Sequence, residues 1–216
     1  MISIVIPALN EERSIAATLQ ALHSLQGEKE ILVVDGASDD RTAALASAAG
    51  ARVLHAPRGR GSQLHAGALA ARGDILWFVH ADATPAPGAL QAIHAALSHP
   101  QTIGGHFTVQ FPGAPGLSWL YRAFRLSYGD SAFFLRRTAY EASGGFRPLP
   151  LFEDLDLLPR LKPLGRFTRI PHTVTASPRR FQGRYLRTWA LWITLQLLFW
   201  ARVSPHRLAN AYRAAR

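Results

Sequence analysis

The 216-residue sequence predicts an α/β fold built on a mostly parallel, doubly wound sheet with helices on both faces. Three observations predict it. Strand and helix signals alternate through about the first hundred residues, as in repeated strand–helix–strand units. The run Ile75–Val79 is apolar without a break, as a strand covered on both faces must be. And two such runs lead into a carboxylate, Ile31–Val34 into Asp35 and Ile75–Val79 towards Asp82. Ligands of open α/β sheets bind outside the carboxyl ends of the strands, so the two acids mark the candidate site.

Taken in order, Ile2–Ile6 reads as the first strand, and a helix starting near Glu11 or Glu12 follows it with Ile15, Leu19 and Leu22 on one face. Met1–Pro7 has no basic leader segment and reads as this strand, not as a signal peptide. The strand Ile31–Val34 precedes a helix near Arg41–Ala49 that ends at Gly50. Arg52–His55 is a short strand, and Gly61–Arg72 a helix closed by Gly73. After Ile75–Val79 comes a helix over Pro87–Leu97, with proline in the first turn, where its missing N–H is not needed. Right-handed crossovers are expected throughout.

Beyond Leu97 the pattern changes. Gly104–Phe111 alternates like a half-exposed strand, and Ala132–Leu135 is a further short apolar run. Between them, Pro112–Tyr128 is a Gly/Pro-rich turn leading into an aromatic stretch with Trp119, Tyr121, Phe124 and Tyr128. Leu155–Leu164 has helical character. No segment is long and polar enough to be a linker, so a single domain over 1–216 is expected.

Composition narrows the chemistry. Hydrophobic residues make up 48% and charged residues 18%, values of a globular protein. There is no cysteine, which excludes disulfides, thiolate metal sites and cysteine nucleophiles. The net charge of +10 is unevenly placed: residues 1–121 carry 7 basic and 9 acidic side chains, residues 122–216 carry 17 and 5, and no acid follows Asp156. A basic C-terminal part points to an anionic ligand or surface, with nucleic acid and anionic lipid both open on charge alone.

The loop after the first strand, Pro7-Ala8-Leu9-Asn10-Glu11-Glu12, contains no glycine. A dinucleotide fold needs Gly-x-Gly-x-x-Gly there for the backbone to approach a pyrophosphate, so NAD and FAD are disfavoured, and no Walker-type loop is present. Asn10-Glu11 also fits a plain helix cap with acids in the first turn. In Asp35-Gly36-Ala37-Ser38-Asp39-Asp40-Arg41-Thr42, Gly36 permits a tight turn and Asp39 or Asp40 can cap the next helix. Asp35 is left without a structural task and is suited to accept hydrogen bonds from a base or ribose. Glu153-Asp154 opens a helix and reads either as first-turn acids or as a general base.

Pro7-x-x-Asn10-Glu11, Val34-Asp35-Gly36-x-Ser38-x-Asp40-x-Thr42, Gly61 to Gly67, Ala81-Asp82, Gly129-Asp130, Gly144-Gly145-Phe146 and Glu153-Asp154 follow one another in an order and spacing that resembles the GT-A domain of family 2 glycosyltransferases. The resemblance covers roughly Ile2 to Phe181, and the short length and the Arg179-Arg180-Phe181 ending resemble a compact bacterial branch. It implies an inverting transfer of sugar from a UDP- or GDP-linked donor to an acceptor hydroxyl, assisted by Mn²⁺ or Mg²⁺. Residues 1–100 would be the nucleotide-binding half, 101–181 the acceptor and catalytic half, and 182–216 basic, apolar C-terminal helices.

Carried over by position, the resemblance implies that Pro7, Asn10, Glu11 and Asp35 hold the nucleotide and that Arg60, Gly61, His65 and Ala81 lie along the nucleotide-sugar cleft. Asp82 matches the last acid of the Asp-x-Asp metal motif, whose first acid is replaced here by His80. That histidine either hydrogen-bonds the donor or packs. Arg179 and Arg180 either clamp the diphosphate through forked hydrogen bonds or form a solvated basic loop. Asp154 would be the base with Glu153 in support, and Gly144, Gly145 and Phe146 would shape the acceptor side. Asp156 matches no required position and is expected on the helix surface.

Thr188–Ala201 is a charge-free stretch of 14 residues between Arg187 and Arg202. At 1.5 Å per residue it spans about 21 Å, short of the roughly 30 Å of a hydrocarbon core. It reads either as a core helix or as an interfacial one, with Trp189, Trp192 and Trp200 among Arg184, Arg187, Arg202, Arg207 and Arg213. An interfacial helix fits a lipid-linked acceptor and a cytoplasmic enzyme at the inner face of the plasma membrane, within cell-envelope polysaccharide or glycolipid synthesis. The rival is a non-catalytic basic module binding anionic membrane or nucleic acid, which leaves Asp35, Asp82 and Asp154 unexplained. Nucleic acid is not the expected partner. The base, sugar and acceptor are not legible in the sequence.

Overall fold

The structure is a computed structural model that describes residues 1–113, 116, 118, 132–176 and 185–214, with side chains omitted at 185–189 and 213–214. The Trp119–Tyr128 aromatic stretch, Gly129-Asp130 and Arg179-Arg180 lie outside the described residues, as do the side chains of Arg184, Arg187, Trp189 and Arg213.

The elements run β1 Ile2–Ala8, α1 Ile15–Ser24, β2 Lys29–Asp35, α2 Thr42–Ala48, β3 Arg52–His55, α3 Arg60–Ala70, β4 Ile75–Phe78, β5 Ala83–Pro85, α4 Ala89–Leu97 and β6 Thr102–Gln110. They continue with β7 Phe134–Arg136, α5 Arg137–Ala142, α6 Glu153–Leu161, β8 Arg166–Ala176, α7 Tyr185–Trp200 and α8 Pro205–Ala214. The strands form one eight-stranded sheet in the order β3-β2-β1-β4-β7-β6-β8-β5. The β3-β2-β1-β4 half is wholly parallel, and β6 pairs parallel with β8, while β7 and β5 pair antiparallel with their neighbours.

Strand alternation divides the core in two. Ile2, Ile4, Ile6, Val33 and Trp77 point to one face, where Ile15, Leu19, Leu22 of α1 and Leu90, Ile93, Leu97 of α4 cover them. Val5, Leu32, Val34, Leu76 and Phe78 point to the other, against Leu64 and Ala68 of α3, Tyr140 of α5 and Leu157 and Leu161 of α6. Helices therefore cover both faces, and each fully buried aliphatic contributes about 1.5–3 kcal/mol. A third, small cluster joins Phe152 to Leu195 of α7 and Leu208 of α8.

Several expectations are corrected. The first helix begins at Ile15, not at Glu11 or Glu12, because residues 10–12 are bonded to the loop after β2. The fourth begins at Ala89, after Gly88 in the left-handed region, so Pro87 stays outside it. β6 is not half exposed: it is internal to the sheet, with Phe107 stacked on Trp77 at 5.2 Å on one face and His106 on Phe167 at 5.9 Å on the other. β5 and β8 were not expected. In β8 the exposed Arg166 and Arg169 break the apolar pattern, and Pro171, which has no N–H to give, falls at the register break opposite His106–Thr108.

Candidate active site

The ends of β1 and β2 are fastened to each other before they meet any ligand. Asn10 takes a left-handed conformation, φ 56°, and its Oδ1 accepts from the Asp39 N–H at 2.9 Å while its own N–H donates to Ser38 Oγ at 3.0 Å. The Glu11 N–H donates to Thr42 Oγ1 at 2.7 Å, and the Glu11 carboxylate accepts from Ser14 Oγ at 2.7 Å. Asp35 has the structural task that the sequence did not reveal: its carboxylate, 3% exposed, accepts from Ser38 N–H at 3.0 Å and Ser38 Oγ at 2.5 Å. His55 Nδ1 lies 3.6 Å from the same carboxylate. Behind them the buried Gln63 donates from Nε2 to Ala8 O and Val34 O, each at 2.8 Å, and so holds both strand ends from α3. Gln63 carried no signal in the sequence.

A cleft opens beside these loops, lined by Pro7 of β1, Arg60 and Leu64 of α3, Phe78, Val79 and His80 at the end of β4, and Phe133, Phe146, Glu153 and Asp154. Arg60 Nε contacts Glu153 Oε1, and Arg60 Nη2 stands 3.8 Å from Asp154 Oδ2. Glu153 is 3% and Asp154 6% exposed. Burial pushes the Glu153 carboxyl above its ordinary range; Arg60 pulls it back and the neighbouring Asp154 charge pushes it up again. Asp154 Oδ1 accepts from the Leu155 N–H at 2.8 Å, which fixes the carboxylate plane at the first turn of α6.

Phe146, which lines this cleft, follows the Gly144-Gly145 turn. Both glycines take left-handed conformations, φ 77° and 65°. Phe146 is buried edge-on to Phe78 at 5.0 Å, and its N–H donates to Tyr140 Oη at 3.1 Å. Tyr140 Oη lies 2.9 Å from His65 Nδ1. Burial pushes the phenol up to about 12, so it keeps its proton. Gly61 packs against the same loop: a Cβ there would come within 2.2 Å of Arg147 O. Asp156, expected on the surface, is instead an anchor, with Arg147 Nη1 at 3.1 Å from Oδ1 and Arg160 Nη2 at 2.6 Å from Oδ2.

Of the residues expected at the site, the structure thus brings Pro7, Arg60, His80, Phe146, Glu153 and Asp154 to one cleft. Asn10, Glu11 and Asp35 build the adjoining loops, while Gly61, His65, Gly144 and Gly145 support the wall. Ala81 is buried, and its carbonyl accepts from Thr18 Oγ1 at 2.8 Å, which fixes the turn carrying Asp82 just after His80. Among the described residues no three His, Asp or Glu side chains converge into a metal cage. Mg²⁺ and Mn²⁺ are commonly held at diphosphates by few protein carboxylates, with phosphate and water supplying the other oxygens.

Comparison with known proteins agrees with this architecture. An uncharacterized glycosyltransferase of Mycobacterium tuberculosis is 41% identical over 97 residues, 44% of this chain and 43% of that protein. A probable glycosyltransferase of Bacillus subtilis, YdaM, is 28% identical over 93% of this chain and 54% of its own length. The chain thus spans about half the length of these relatives. The mannosyltransferase from Pyrobaculum calidifontis, solved with GDP-mannose and Mn²⁺, superposes with a TM-score of 0.75 at 18% identity, covering 99% of this chain and 69% of that one. That likeness establishes the GT-A fold. The glycosyl transferase family 2 model matches residues 3–150, and the chain belongs to that family.

Proposed function

We propose that this chain is an inverting glycosyltransferase that moves a sugar from a nucleotide-diphosphate donor, UDP- or GDP-linked, to an acceptor hydroxyl. One observation carries the reading: the strand-end residues Pro7, Val79 and His80 line one cleft together with Glu153 and Asp154. In this reading residues 1–100 hold the donor, 101–181 the acceptor and the base, and the C-terminal helices complete one domain. Pro7, Asn10, Glu11, Asp35 and Ala81 shape the nucleotide side, with Gly61 and His65 behind it. Arg179 and Arg180 meet the diphosphate.

Asp154 is the base. It takes the acceptor proton as the acceptor oxygen bonds to the anomeric carbon, and the carbon–oxygen bond to the diphosphate breaks with its electron pair leaving on phosphate. A single displacement inverts the anomeric carbon. Leu155 N–H holds Asp154 in plane, and Arg60, set against Glu153, fixes the carboxylate pair. Glu153, buried and set against Arg60, is the support and not the base. Asp82 would hold Mn²⁺ or Mg²⁺, which when bound would supply countercharge to the diphosphate.

On the outside of α7, Ile193, Leu197, Leu198 and Trp200 are exposed beside the exposed Arg202, and α8 adds the exposed Arg207. This supports peripheral contact with anionic lipid at the inner face of the plasma membrane, and a lipid-linked acceptor. No helix among the described residues is long and apolar enough to cross a membrane.

The test is a screen of UDP-glucose, UDP-N-acetylglucosamine and GDP-mannose with and without Mn²⁺, reading release of UDP or GDP. Turnover of a donor that needs Mn²⁺ and is lost in Asp154→Asn is expected. No turnover, with no Mn²⁺-dependent thermal shift by UDP or GDP and with steeply salt-dependent DNA binding, would instead favour the basic binding module.

A further inference from the structure

The residue that leads into the catalytic turn is held in a conformation side chains rarely adopt. Phe152 has φ 65° and ψ 28°, in the left-handed region. For a bulky non-glycine residue this conformation is strained and persists only where the surroundings impose it. The surroundings here are the C-terminal helices. The Phe152 ring is 4% exposed, edge-on to Trp192 at 5.8 Å and tilted on Phe199 at 5.1 Å, in one cluster with Leu195 and Leu208. Its carbonyl accepts from the Asp156 N–H at 3.0 Å, which opens α6. The next two residues are Glu153 and Asp154, both in the cleft wall.

We infer that Phe152 is a positioning residue through which the α7–α8 pair fixes the base: burying the ring among Trp192, Leu195, Phe199 and Leu208 holds the backbone left-handed at Phe152 and so aims Asp154 at the cleft. None of the four ring partners lines the cleft. The α7–α8 pair is thereby part of the catalytic apparatus without touching substrate. An error of about 1 Å in a base can lower a rate by about 10²-fold without altering donor affinity.

This inference rests on Asp154 being the base. The experiment uses the full chain and whichever of UDP-glucose and GDP-mannose the wild type hydrolyses with Mn²⁺, comparing Phe152→Ala, Phe152→Leu, Trp192→Ala and Asp154→Asn. Phe152→Ala is expected to lose about 10²-fold in kcat with the affinity for UDP or GDP within about twofold of wild type, Trp192→Ala to lose rate in the same selective way, and Phe152→Leu, which keeps an apolar anchor, to recover most of it. If Phe152→Ala is too unstable to assay, Trp192→Ala and Phe152→Leu carry the test alone. Folded Phe152→Ala or Trp192→Ala at wild-type kcat, or with kcat and nucleotide affinity lost together, overturns the inference. Asp154→Asn at wild-type rate overturns instead the assignment of the base.

Discussion

The hydroxyl of Tyr140 lies 2.9 Å from Nδ1 of His65 and at the same time accepts the Phe146 N–H at 3.1 Å. One phenol therefore ties α3, α5 and the glycine turn together behind the cleft. Two motif residues expected to face the donor and acceptor, His65 and Phe146, are joined through a residue that no motif contains. The wall of the cleft is thus preorganised from behind by a buried hydrogen-bonded unit, and Gly61 lets the 147–149 segment pass close above α3 to complete it.

Tyr140→Phe removes both contacts while keeping the ring. The Phe146 N–H is left buried without its partner, and a loss of about 1–3 kcal/mol of stability is expected. Urea melts read it. A mutant as stable as the wild type would mean that water or a shifted loop replaces the hydroxyl.

Glu153 yields a pH prediction. Its carboxyl is raised above 4.5 by burial, so between 4.5 and its folded value the native chain binds more protons than the unfolded one. Stability from this group is then present below 4.5 and lost as pH rises through the folded value. Glu153→Gln abolishes that loss, so the melting temperature of the mutant minus that of the wild type should become more positive from pH 4.5 to pH 8. A pH-independent difference counts against the raised carboxyl.

Asp82→Ala should stay folded, because Asp82 sits in the turn beyond β4 and outside the two large cores. The expected result is loss of the Mn²⁺-dependent part of UDP or GDP binding by calorimetry, with metal-free binding little changed. Equal Mn²⁺ dependence in mutant and wild type removes Asp82 from the metal site.

The two faces of α7 predict opposite outcomes. Leu197 is 56% and Trp200 63% exposed, whereas Leu195 is 2% exposed. Replacing Ile193, Leu197 and Trp200 by Ser should reduce sedimentation with phosphatidylglycerol vesicles and shift stability only slightly, as surface changes do. Leu195→Ala should instead destabilise by about 2–5 kcal/mol. Undiminished vesicle binding by the triple mutant argues against the interfacial face.

What could be read beforehand follows from where the periodicity is simple. In the parallel half, β1, β2 and β4 are covered on both faces and carry continuous apolar runs, so Ile4, Val33 and Trp77 announced themselves. The helix faces of Ile15, Leu19 and Leu22 were equally plain. The strand β8 was hidden because its pattern is cut by Arg169, Pro171 and His172 at a register break. At the site, Glu153, Asp154, Arg60 and Pro7 were legible as motif residues, and the structure brings them to one cleft. Asp35 looked idle until Ser38 was seen to fold back on it, and α7 could not be assigned to core or interface because Leu195 is buried while Leu197 and Trp200 are exposed. Gln63, Tyr140 and Phe152 act through contacts with segments distant in sequence, and spacing along the chain carries no trace of such contacts.

Asp154→Asn is the most direct test of the chemistry. The side-chain amide keeps the size of the carboxylate and an Oδ1 that still accepts from the Leu155 N–H, the bond that is 2.8 Å long in the wild type. Glu153 remains against Arg60, so the wall keeps its ion pair. What disappears is the ability to take a proton. General-base catalysis commonly supplies about 10²–10⁴-fold in rate, and kcat should fall by about that factor. The base acts in the transition state, so the affinity for UDP or GDP with Mn²⁺ should change little, the opposite of the pattern expected for Asp82→Ala. Steady-state kinetics of donor turnover, paired with calorimetric nucleotide titrations, distinguish the two. A near wild-type kcat in Asp154→Asn moves the base elsewhere, and Glu153→Gln in the same assay then shows whether the neighbouring carboxylate carries it.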